Sequence, residues 1–137
     1  MIKNIVKDVN FLKIPSSDLA KNELYIVNDL IDTLRFHLKV CIGMAANMIG
    51  YSKNAIVIKL NNDKILPLIN PKILEREGLY EAEEGCLSLI GVRKTLRFEK
   101  IKISFLDLNF KPCFKEFNGL EAQIIQHEID HLFGKII

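Results

Sequence analysis

The stretch Gln126-His127-Glu128-Ile129-Asp130-His131 constrains this chain more than any other. In an α-helix, positions i and i+4 lie one above the other, so His127 and His131 can both turn an imidazole nitrogen toward one ion. Glu128 falls about 100° round the same helix, beside that ion rather than bound to it. This is the H-E-x-x-H arrangement, in which two histidines hold a metal and the glutamate serves as general base to the metal's water. The competing reading, two surface histidines on an ordinary helix, is disfavoured by what flanks them. Asn118 is placed to cap a helix, with Glu121 as its reciprocal partner three residues on, and Gly134 to end it in a left-handed turn. Between those ends the chain is apolar on nearly all sides, from Leu120 through Ile125 and Ile129 to Phe133, which describes a helix buried inside a fold. Two histidines and a glutamate buried there are costly without partners, and a metal supplies one.

Two histidines leave a catalytic metal one protein ligand short. After His131 come Leu132, Phe133, Gly134, Lys135, Ile136 and Ile137, none of them a ligand. The longer pattern H-E-x-x-H-x-x-G-x-x-H is met as far as Gly134, but Ile137 stands where its last histidine belongs. The third ligand is therefore expected upstream, among His37, Cys41, Cys86 and Cys113, with carboxylates as weaker choices. His37 lies near the end of a helical stretch, where an imidazole suits the helix dipole, and reads as structural or solvated. Cys113 falls inside a strand, 111–117, that pairs with 101–108 in a hairpin. Cys86 follows Gly85 in a turn-like segment, and spacing alone leaves it balanced between ligand and buried thiol.

A length of 137 residues predicts one domain, 1–137, with a core large enough to do without disulfides. The net charge of +2, with no run of Lys or Arg, argues against a nucleic-acid partner. Residues 1–10 contain no continuous apolar block, so neither a signal peptide nor a membrane span is expected, and a cytoplasmic location follows. Three cysteines in a reducing compartment read as thiols or metal ligands. Residues 1–20 read as an irregular arm, and 21–39 as an amphipathic helix carrying Leu24, Val27, Leu30, Ile31, Leu34 and Leu38 at helical spacing. Segments 54–60 and 64–70 read as strands joined at Asn61, Asn62 and Asp63, with Pro67 marking an edge or a bulge. The small residues Gly43, Ala45 and Ala46 predict close packing or a substrate passing over bare peptide groups, and the acidic passage from Glu75 to Glu84 a solvated loop or strand.

Taken together, Glu84-Gly85-Cys86-Leu87-Ser88 and Gln126-His127-Glu128-Ile129-Asp130-His131-Leu132-Phe133-Gly134 resemble the second and third signature motifs of the peptide deformylases. Those enzymes remove the formyl group from the N-terminal methionine of new bacterial or organellar proteins. The resemblance extends from the first helix to the C-terminus and implies an α+β fold, with mixed or antiparallel β-sheets packed around the central metal helix. It implies that Cys86, His127 and His131 hold the metal, that Glu128 is the general base, and that the backbone N–H of Leu87 faces the developing oxyanion. The implied metal is Fe²⁺, with Zn²⁺ or Ni²⁺ as substitutes, although the ligand set by itself suits Zn²⁺ equally. Gly43, Met44, Met48, Gly85 and Arg93 are expected along the substrate cleft.

The first family motif, G-x-G-L-A-A-x-Q, is where the chain departs. Cys41 to Met48 keep Gly43, Ala45 and Ala46, but Cys41 replaces the first glycine and Met48 the glutamine. In the family that glutamine donates a hydrogen bond to the formyl oxygen, and methionine has no donor. Losing one such donor typically costs about 10²–10³ in rate. Asn47 carries an amide, but on an extended backbone it points elsewhere. The expected function is a metal-dependent hydrolase acting, as a monomer, on N-formyl-Met peptides or nascent chains, with no nucleic-acid or membrane partner. The alternative is a homologue with weak or lost activity that binds peptide N-termini, and a peptidase unrelated to deformylation stands a distant third.

Overall fold

A computed structural model describes residues 1–135, and of Leu89 and Ile90 the backbone alone. Ile136 and Ile137, including the position compared above with a last histidine, lie outside the described residues. The elements run α1 (Val9–Leu12), α2 (Leu24–Phe36), β1 (Gly43–Ala45), β2 (Ala55–Lys59), β3 (Ile65–Cys86), β4 (Leu89–Leu106), β5 (Pro112–Asn118) and α3 (Gly119–Leu132). Short 3₁₀ turns at Lys21–Glu23 and Ala46–Ile49 lead into α2 and follow β1. The strands form one five-stranded sheet in sequence order, each pairing antiparallel with the next. The expected α+β class is thus realised as a meander with α3 packed on it.

The two helices bury β2 between them. Ala55, Ile56, Val57 and Ile58 are all fully buried, and since successive strand residues face opposite sides, both faces of β2 are covered. Both α2 and α3 contact this strand. Of the residues that gave α2 its helical spacing, Val27, Leu30 and Leu34 are fully buried and Leu24, Ile31 and Leu38 partly so, and Ile26 joins them in the core. Pro67 pairs with Val57 in β3, and β4 begins to pair only at Ile69, so the residue without an N–H sits where β3 has no second neighbour. The acidic passage is part of β3, with Glu75, Glu77, Glu81 and Glu83 exposed and Glu84 buried.

Two expectations about α3 are corrected. Asn118 makes no side-chain cap, and Glu121 instead accepts the backbone N–H of Asn61 at 2.8 Å. Asn118 is the last residue of β5, held extended by the ladder, and the chain turns into the helix at Gly119, φ +59°. Leu120 and Phe133 are exposed, so the apolar ring of the helix is broken at both ends. Gly134 does end the helix in the left-handed region, at φ +80°. A Cβ there would lie 2.2 Å from the Lys13 carbonyl oxygen, which ties the helix end to the N-terminal segment.

Candidate metal centre

Three ligand-bearing side chains converge where the end of β3 meets α3: one ligand atom each from Cys86, His127 and His131 lies within 4.8 Å of the others. Cys86 closes β3 just before the Leu87–Ser88 turn. There the pairing jumps from Gly85↔Val92 to Cys86↔Leu89, so β4 carries two extra residues opposite one step of β3. A bulge of this kind re-aims the adjacent side chain, and Gly91 allows it at φ +87°. His127 and His131 stand one helical turn apart, their Nε2 atoms 3.0 Å from each other. His37 and Cys113 are not in this group, nor is Cys41, whose thiol donates to the Gly43 carbonyl at 2.8 Å.

The protonation of the pair tests whether a cation fits. Burial works to lower the basicity of His127, but its hydrogen bond with Cys86 and the negative charges of Glu128 and Glu84 outweigh this and raise its pKa to about 10. Burial, then the charge on His127, pushes His131 down to about 3. Without an ion, a single proton's charge thus serves two buried, facing nitrogens. A divalent cation would take the place of that proton, with the Cys86 thiolate and the neutral imidazoles of His127 and His131 to hold it.

What orients His127 is a buried ionic network. Its Nδ1–H donates to Glu84 Oε1 at 2.7 Å, which leaves Nε2 to face the ion site. Arg97, 3 % exposed, donates to both oxygens of Glu84, from Nη2 at 2.6 Å and Nε at 2.9 Å, and from Nη1 to Asp130 at 2.7 Å. Burial alone would raise the Glu84 pKa, but the bonds from His127 and Arg97 bring it down to about 2. Gln126 locks α3 to β4, accepting the Phe98 N–H and donating to the Phe98 carbonyl, both at 2.8 Å. His131 is placed differently: Asn47 Nδ2 donates to its backbone carbonyl at 2.8 Å, and its Nδ1 has no partner among the described residues.

Beside these residues opens a cavity of about 530 Å³. Gly43, Met48, Gly85, Leu87 and Glu128 line it, as does Cys41. Met44 and Arg93, expected along the cleft, do not: Met44 is fully buried in the core under β1, and Arg93 lies on β4 beyond the bulge. Glu128 Oε1 is buried without a hydrogen-bond partner among the described residues, and burial raises its pKa to about 7. Gly43 makes room for it, since a Cβ there would lie 3.1 Å from Glu128 Oε2 and 2.5 Å from Ile124 Cγ2. Met48 Sδ accepts the Ala45 N–H at 3.4 Å and has no proton to give, and Asn47, bonded to the His131 carbonyl, does not line the cavity, so neither residue offers it a donor. Burial pushes the Cys41 thiol up to about 12, which keeps it protonated.

Arg97 and Gln123 are functional neighbours that pattern reading missed. Arg97 sits in an alternating strand among several other charged residues, so nothing local in the sequence distinguishes it. Gln123 had a signal, its position one turn before His127 on the same helix face.

The polypeptide deformylase family model matches residues 2–137. A peptide deformylase of Clostridium beijerinckii is 54% identical over 137 residues, covering all of both chains. The crystal structure of a class I type b peptide deformylase from Acinetobacter baumannii, bound to Met-Ala-Ser, superposes with a TM-score of 0.89 at 26% identity, over 99% of this chain and 97% of that one. A peptide deformylase structure from Thermotoga maritima gives a TM-score of 0.89 at 27% identity, over 99% and 95%.

Proposed function

The chain belongs to the polypeptide deformylase family and is a metal-dependent hydrolase of N-formylated peptides, and from that premise we propose that Cys86, His127 and His131 hold the metal and Glu128 is the general base. The observation that carries this assignment is the convergence of the three ligand atoms beside a buried carboxylate whose Oε1 has no hydrogen-bond partner among the described residues.

The roles follow from the surroundings of each group. When bound, the ion supplies Lewis acidity toward water and the formyl oxygen. The thiolate of Cys86 and the facing Nε2 atoms form its protein ligands, and Glu84 keeps His127 in the one tautomer that can serve. Glu128, with a pKa near neutrality, takes a proton from the attacking water and returns it to the leaving amine. The Leu87 N–H, in the turn after Cys86, donates to the oxyanion. Gly43 and Gly85 border the cavity without side chains and leave their peptide groups to an extended substrate, while Met48 contributes shape and no donor.

The metal in this reading is Fe²⁺, because the family resemblance favours it over the Zn²⁺ that the ligand set by itself suits equally, and Zn²⁺ or Ni²⁺ can substitute. Residues 1–137 act as one catalytic domain and as a monomer on formyl-Met peptides or nascent chains in the cytoplasm, without nucleic acid. No helix among the described residues is long and apolar enough to cross a membrane. The test is metal content after reconstitution. Cys86→Ala, His127→Ala and His131→Ala should each lose the ion, whereas Glu128→Ala keeps one equivalent. Full metal retention by any of the first three would remove that residue from the ligand set.

A further inference from the structure

We propose that one buried water joins the Nδ1–H of His131 to Asn47 Oδ1 and Ser16 Oγ, and that Asn47 and Ser16 thereby act as positioning residues for this side chain. The inference rests on the reading of His131 as a metal ligand given above. His131 turns Nε2 toward the ion site, 3.0 Å from His127 Nε2. A neutral ring that gives Nε2 to an ion carries its proton on Nδ1, the nitrogen nearest the main chain. For His127 that proton goes to Glu84. For His131, which is fully buried, Nδ1 has no partner among the described residues.

Two more buried polar atoms are unpartnered among the described residues at this end of α3, Asn47 Oδ1 and Ser16 Oγ. Both belong to residues fastened to the last turn of the helix. Asn47 Nδ2 donates to the His131 carbonyl and the Ser16 N–H to the Leu132 carbonyl, each at 2.8 Å. Carbonyl oxygens of successive helical residues lie roughly 3–4 Å apart, so the two residues flank one turn. The bond to a carbonyl also settles the Asn47 amide: Nδ2 faces His131, and Oδ1 is left as an acceptor. None of the three atoms bonds another, yet together they match a single water. It accepts the imidazole proton and donates its own two to the amide and hydroxyl oxygens, and three bonds are what a buried water typically makes. Without that acceptor the buried ring gains by moving its proton to Nε2, where it blocks the ion. The water therefore holds the tautomer that binds metal.

The experiment uses Zn²⁺-loaded protein and its Asn47→Leu and Ser16→Ala variants, read by chelator competition and by ¹H–¹⁵N spectra of histidine-labelled samples. Native protein should show imidazole N–H signals protected from exchange for both His127 and His131. Its crystal structure should hold a water about 2.7–3.2 Å from all three atoms. Asn47→Leu should lose the His131 signal, keep that of His127, and weaken Zn²⁺ binding about 10–100-fold. Ser16→Ala, which leaves the backbone bond to Leu132 in place, should weaken it about 3–10-fold. Added to Asn47→Leu, Ser16→Ala should cost nothing further, because one water carries both effects, whereas separate structural roles would add. A protected His131 N–H in Asn47→Leu, additive losses of affinity, or no water in the native crystal overturns the proposal with the ligand reading intact. Full retention of Zn²⁺ by His131→Ala overturns that reading and the proposal with it.

Discussion

Replacing Glu84 by glutamine perturbs the centre through a residue that does not face the ion site. The carboxylate accepts four hydrogen bonds, two from Arg97 and one each from His127 and Gln123. Glu84→Gln keeps the shape, removes the charge, and turns an NH₂ group toward donors that need an acceptor. Arg97 is then a buried cation with Asp130 as its remaining carboxylate. Removing one partner of a buried pair costs about 3–5 kcal/mol, and the surviving Asp130 contact reduces this to about 2–4 kcal/mol. A second effect acts on the metal, because His127 loses the acceptor that fixes its tautomer, which should weaken metal affinity about 10–100-fold. Guanidinium unfolding of the metal-free variant reads the first effect and chelator competition the second. Adding Arg97→Met removes the stranded guanidinium and should recover at least half of the lost stability. A single variant within 1 kcal/mol of native stability, with unchanged metal affinity, would refute the account of the network.

Three further outcomes follow from the same geometry. Met48→Gln should raise kcat at least tenfold, because no donor from Met48 or Asn47 reaches the cavity and one added oxyanion donor is worth up to about 10²–10³; formate release at saturating peptide measures it, and an unchanged rate would mean another group already donates. Gly43→Ala should cut turnover by an order of magnitude or more while metal content stays native, since the added Cβ meets Glu128 and Ile124. Acid should destabilise the metal-free protein through Glu84. Its folded pKa of about 2 lies below the unfolded value of about 4.3, so the stability it contributes is present above about pH 4.3 and is lost as pH falls toward 2. Denaturation midpoints across that window should fall more steeply for native protein than for Glu84→Gln.

The metal helix was legible because its signal is short-range: the i, i+4 histidines and the Gly134 stop depend only on helix geometry. The hairpin was legible too: 101–108 was expected to pair with 111–117, and the strands pair from Ile101↔Phe117 to Leu106↔Pro112. The choice of Cys86 over Cys41 and Cys113 was not fixed by spacing, because a bulge between β3 and β4 decides where the Cys86 thiol points. Glu84 read as one of several solvated glutamates, and only its turn toward Arg97 and His127 distinguishes it from Glu83. Met44 seemed a cleft residue by its neighbours in sequence, yet strand alternation carries it into the core while Gly43 stays at the cavity. The Asn118 cap failed because a strand running straight into a helix satisfies the junction through its own ladder.

The most direct test of the central claim is formate release from formyl-Met-Ala-Ser by anaerobically purified, Fe²⁺-loaded protein, beside Glu128→Ala carrying the same ion. The buried carboxylate, its Oε1 without a partner among the described residues, predicts steady turnover by the native protein and a loss of about 10²–10⁴-fold or more in the variant at equal metal content. Equal rates in the two would remove Glu128 from the chemistry, and no turnover by fully loaded native protein would contradict the account as a whole.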